Sequence, residues 1–102
     1  MSGGLDNSFR KLFQNPKKIL KPYIQEGMVV LDVGCGPGYF TFEIAELLKN
    51  SGKIIAADLQ ESMLDKVRSK IKSFKLEQNI QLHKCEEESI GIKEKVDFIL
   101  AF

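Results

Sequence analysis

The run MVVLDV, residues 28–33, is short, β-branched and apolar up to its aspartate, and it leads directly into glycines at alternate positions, Gly34, Gly36 and Gly38. Such a run reads as a strand buried on both faces. Beyond the glycines, Phe40, Ile44, Leu47 and Leu48 recur at helical spacing, so the glycines must turn a buried strand straight into a helix. That arrangement belongs to parallel α/β sheets.

The same alternation continues along the chain. Asn50, Ser51 and Gly52 stop the first long helix, and KIIAAD, 53–58, is a second buried strand. Met63, Val67, Ile71 and Phe74 define a second amphipathic helix. NIQLHK, 79–84, and VDFILAF, 96–102, read as third and fourth strands, separated by a loop around CEEESIGIKE with at most one helical turn. Upstream, Phe9, Leu12 and Phe13 share a face and predict a helical extension over residues 1–14. Asn15 then caps a short helix that starts at Pro16 and carries Ile19 and Leu20. The order predicts one α/β domain over residues 1–102, a parallel sheet with right-handed crossovers.

Charge and composition remove several function classes. Fifteen Lys and Arg against 14 Asp and Glu leave a net charge of +1, whereas a nucleic-acid surface needs a clustered positive field. Lys11, Lys17, Lys18 and Lys21 read as a solvated helix face. No apolar run approaches the roughly twenty residues of a membrane span, and the first residues lack a signal-peptide pattern, so a cytoplasmic location is expected. Cys35 and Cys85 are too few for a disulfide framework and are not spaced as a metal site. No metal is expected, and both cysteines read as free thiols.

The ligand of the glycine turn follows from the carboxylates around it. A dinucleotide fingerprint needs G-x-G-x-x-G, but Gly34, Gly36 and Gly38 read G-x-G-x-G with Tyr39 next. Asp32 argues further against phosphate, because a pyrophosphate against this loop would meet its charge. A nicotinamide oxidoreductase is therefore disfavoured, and with no Gly-Lys-Ser/Thr a P-loop is excluded. A cationic ligand reverses the argument, and S-adenosylmethionine is one: its ammonium and sulfonium favour a carboxylate by the loop. Its ribose needs a second carboxylate at the end of the adjacent strand, where Asp58 stands.

These residues carry a family resemblance. VLDVGCGPGYFT resembles the first motif of class I S-adenosylmethionine-dependent methyltransferases, and AADLQESML resembles the second. HKCEEESIGI and VDFILAF resemble the third and fourth, and the whole is most similar to the ubiquinone/menaquinone-type branch. The resemblance implies a Rossmann-like three-layer fold with helices on both faces of the sheet, of which this chain holds the N-terminal half in strand order 3-2-1-4. It implies that Asp32 and the Gly34, Gly36 and Gly38 backbone hold the methionyl part and that Asp58 takes the ribose hydroxyls. Leu59 would lie against the adenine, Glu86 would accept from its amino group, and the Glu87 backbone would face the ring edge. Cys35 reads as a space filler in the loop, Tyr39 as a border of the methionyl pocket, and His83 as structural or exposed.

The resemblance also sets an expectation about completeness. Family members continue past the fourth strand and build their acceptor pocket there, whereas VDFILAF would here be an apolar sheet edge, which natural proteins avoid. The expected state is a truncated methyltransferase for a small-molecule acceptor, with the 96–102 edge completed by a partner chain or by self-pairing in an oligomer. A non-catalytic cofactor-binding or interaction module completed by a partner is the alternative. No catalytic residue is assigned.

Overall fold

The computed structural model describes residues 15–49, 51–74 and 79–101; the helical extension expected over 1–14 lies outside them. The chain runs α1 (Pro16–Leu20), β1 (Val29–Val33), α2 (Thr41–Leu48), β2 (Lys53–Asp58), α3 (Glu61–Phe74), β3 (Ile80–Lys84) and β4 (Phe98–Ala101). All strand pairs are parallel and the order is β3-β2-β1-β4, so the expected sheet is the observed one. None of the described helices is long and apolar enough to cross a membrane.

Local chemistry explains the boundaries. Asn15 Oδ1 accepts from the Lys18 amide at 3.3 Å, and Pro16 occupies the first helical position, where a missing N–H leaves no bond unmade. Lys17 ties α1 to α2 by an ion pair with Glu46 at 2.6 Å. α2 ends at Leu48, where Lys49 takes a left-handed turn at φ 51° and donates to the Glu46 carbonyl, and Gly52 is left-handed again at φ 83° before β2. In α3, Leu64, Val67 and Ile71 are buried, with Met63 at the margin. Leu64 belongs to the same stripe and went unremarked in the periodicity; the Phe74 side chain lies outside the described residues.

Strand alternation divides the core in two. Val30, Ile54, Ala56 and Ile80 face one way and pack against Leu20 of α1, Ile44 and Leu48 of α2, and Leu64, Val67 and Ile71 of α3. Leu31, Ile55 and Ala57 face the other way and are met by Cys85, Ile92 and Val96 from the segment between β3 and β4. Among the described residues, helices thus cover one face and an extended segment begins to cover the other.

The fourth strand starts at Phe98, later than the expected residue 96. Val96 leaves the strand line to join the second core cluster. Asp97 then starts the pairing: its amide donates to the Val29 carbonyl and its Oδ2 accepts from the Val29 amide, both at 2.7 Å. Phe98 and Leu100 are half-buried while Ile99 is 56% exposed, so this edge keeps an open apolar side. Phe102 lies outside the described residues.

Candidate functional site

The site grows from the C-terminal ends of β1 and β2, where parallel sheets bind ligands. Past Val33 the chain leaves β1, and the Gly34 and Cys35 amides both donate to the Ala57 carbonyl, at 2.8 and 3.0 Å. The turn needs left-handed backbone at Gly36, φ 58°, and Gly38, φ 98°. A Cβ on Gly38 would lie 2.5 Å from the Phe42 ring, so closeness as well as conformation demands glycine there. From α3, Lys70 Nζ donates to the Pro37 carbonyl at 3.0 Å and sits over the Phe42 ring. The loop is therefore clamped by a residue 33 positions away, a contact for which the sequence carries no local signal.

Asp58 closes β2 and joins the loop to α3. Its Oδ2 accepts from the Gly36 amide and its Oδ1 from the Gln60 amide, each at 2.9 Å. Each oxygen keeps a further lone pair for a ligand hydroxyl. The pairing of this carboxylate with the glycine turn, expected from sequence, is thus direct.

Asp32 is placed differently. Alternation along β1 puts it on the face covered by helices, in register with Ala56, and it is only 2% exposed. Its Oδ2 accepts from the Thr41 hydroxyl at 2.7 Å. Burial pushes its carboxyl up to about 6; the Thr41 bond opposes this, and the nearby Asp58 charge adds to it. Thr41 is a residue that sequence reasoning missed as a contributor, although a hydroxyl at the first position of the helix after the turn was a usable signal.

The sign of the pH effect follows. Between 3.8 and about 6, the folded chain holds a proton on Asp32 that the unfolded chain has released. Stability from this group is therefore full below the lower value, falls as pH rises through the interval, and is level above it. Asp32→Asn should lack that decline, so the difference between mutant and wild-type urea midpoints should shift in the mutant's favour as pH rises through the interval, and Thr41→Val should move the upper limit of the decline to higher pH. A difference that stays level across pH would overturn the assignment.

Cys35 is 5% exposed, and burial, with the Asp32 and Asp58 charges, pushes its thiol up to about 12. It packs within the first core cluster. Cys85, also buried, has its thiol raised chiefly by burial.

A cleft of about 670 Å³ opens beside Val33, on the face opposite Asp32. It brings together Gly34, Asp58, Leu59, Glu86 and Glu87 from the sequence expectations. Leu59 is 45% exposed at its rim. Glu86 and Ser89 close a small turn by reciprocal amide–carbonyl bonds, and the Cys85 amide donates to the Asp58 carbonyl at 2.9 Å. Asp32, Cys35, Gly36, Gly38 and Tyr39 do not line this cleft. Tyr39 is 71% exposed and stands outside it. The wall also includes Ser89 and Ile90, which sequence reasoning did not single out.

The chain is similar to known methyltransferases in sequence and in fold. A family described as "Methyltransferase domain" matches residues 24–102. A protein of Saccharolobus solfataricus named "Probable cobalt-precorrin-6B C(15)-methyltransferase (decarboxylating)" is 38% identical over 78 residues, covering 74% of this chain and 39% of that protein. A demethylmenaquinone methyltransferase of Lactobacillus johnsonii is 34% identical over 82 residues, covering 80% of this chain and 32% of its own. A solved S-adenosylmethionine-dependent methyltransferase from Aquifex aeolicus superposes with a TM-score of 0.79 at 36% identity, over 94% of this chain and 51% of that one. The chain therefore spans well under half the length of these curated relatives.

Proposed function

This chain belongs to the methyltransferase-domain family, and we propose that it forms the cofactor-holding part of an S-adenosylmethionine-dependent methyltransferase with a small-molecule acceptor. The observation that carries the reading is Asp58, bonded to the turn through Gly36 and opening into the same cleft as Gly34, Leu59, Glu86 and Glu87. Asp58 would accept the ribose hydroxyls on its remaining lone pairs. Leu59 would cover one face of the adenine, the Glu86 carboxylate would accept from its amino group, and the Glu87 backbone would meet the ring edge. Gly34, Gly36 and Gly38 would bring their backbone against the methionyl part, and Asp32 would favour its ammonium through the field of its carboxylate rather than by direct contact. Once bound, the cofactor supplies a methyl group activated by a sulfonium leaving group. The protein's share is then alignment and exclusion of water.

The acceptor class is supported by the names of the two curated relatives, which carry a precorrin and a menaquinone. Titration calorimetry with S-adenosylhomocysteine tests the reading: saturable one-to-one binding is expected, and heats no larger than dilution would overturn it. The open apolar side of β4, with Ile99 exposed, supports completion of the sheet by another strand, from a partner or a second copy. Sedimentation velocity is expected to show association, and a stable monomer at all concentrations would count against it.

A further inference from the structure

His83 stands next to last in β3, in register with Ala57, on the face that carries Val33 and the cleft. Its half-buried ring reaches the segment that forms the far wall: Nε2 lies 2.6 Å from the Ile90 carbonyl. A carbonyl can only accept, so Nε2 carries the hydrogen and donates. The same ring atom lies 3.5 Å from where a Cβ on Gly91 would sit, so the ring fills the inside of the returning chain.

The wall between Cys85 and Ile92 is otherwise held at few points. Its start is fixed by the Cys85 amide on the Asp58 carbonyl, and its tip is closed on itself by the Glu86–Ser89 pair. Its return is fixed by Ile92 in the second core cluster. Between tip and return, the His83 bond is the side-chain tie to the sheet among the described residues. We infer that His83 is a positioning residue for ligand binding, holding Ile90 and the Glu86–Ser89 turn over the cleft through the Ile90 carbonyl. The role rests on the cofactor-site reading above for its ligand, but the tie itself does not.

Two readouts separate these. In ligand-free protein, His83→Leu should speed hydrogen exchange at the Glu86 and Ser89 amides by about 10-fold, with the Ile54 and Ile55 amides of β2 unchanged. His83→Gln, whose side-chain amide reaches the same carbonyl, should restore protection. In calorimetry, His83→Leu should weaken S-adenosylhomocysteine by about 10-fold and His83→Gln by much less. Unchanged exchange in His83→Leu, or acceleration of loop and β2 amides together, overturns the tie. Loop exchange that responds while S-adenosylhomocysteine affinity does not overturns the positioning role. Wild type that fails to bind S-adenosylhomocysteine overturns the cofactor reading, and the positioning role with it, while the exchange data still decide the tie.

Discussion

Asp58→Ala should lower the affinity for S-adenosylhomocysteine by about 100-fold or more. Hydrogen bonds to a charged group contribute about 1.5–3 kcal/mol each, and two ribose hydroxyls would be lost together. At about 1.4 kcal/mol per tenfold, that loss reaches at least two decades. The substitution also frees the Gly36 and Gln60 amides that Asp58 now accepts from at 2.9 Å, loosening the turn and the start of α3. Asp58→Asn separates the causes. It keeps the shape and one of those two backbone bonds, its amide group facing the other N–H, so the thermal midpoint should fall less than in Asp58→Ala while binding still falls by about 10-fold or more. Wild-type affinity in Asp58→Ala would sink the assignment of this residue.

Gly52→Ala should destabilise the fold by about 3 kcal/mol or more, chiefly through sterics. Gly52 joins α2 to β2 at φ 83°, and a Cβ there would lie 2.1 Å from the Met28 carbonyl oxygen and 2.7 Å from the Gly27 carbonyl carbon. Both neighbours are backbone at the entry to β1, so no rotamer change can relieve the overlap. A small domain is stable by only about 5–15 kcal/mol. Urea denaturation should show a sharp fall in midpoint, and a thermal drop of more than about 10 °C is expected at this size. Gly36→Ala is the contrast: a Cβ there meets nothing within 4 Å, leaving only the left-handed backbone cost of about 1–2 kcal/mol. Equal stability losses in the two variants would overturn the steric account.

Much of this architecture was legible in the chain. The period changes around MVVLDV and KIIAAD placed the two central strands, and Asn15-Pro16 placed the start of α1, because strand burial and helix caps are decided by residues a few positions apart. The pairing of Asp58 with the glycine turn was legible for a related reason: both stand at the same end of adjacent parallel strands. Lys70 shows the limit: it clamps the glycine turn from α3 through the Pro37 carbonyl, 33 positions away in the chain. The fourth strand was read as starting too early because Val96 is as apolar as a strand residue but packs with Ile92 on the second cluster.

What the sequence by itself determined was the parallel α/β order, the glycine turn and the two carboxylates at strand ends, since periodicity and backbone conformation are local properties. The tertiary structure alone decided which face each group serves. Pleating and register put Asp32 under the helices with Thr41, and aimed His83 at the loop seven residues on, Ile90. Those contacts depend on how strands and loops cross in space, and no neighbouring residue in the chain encodes that.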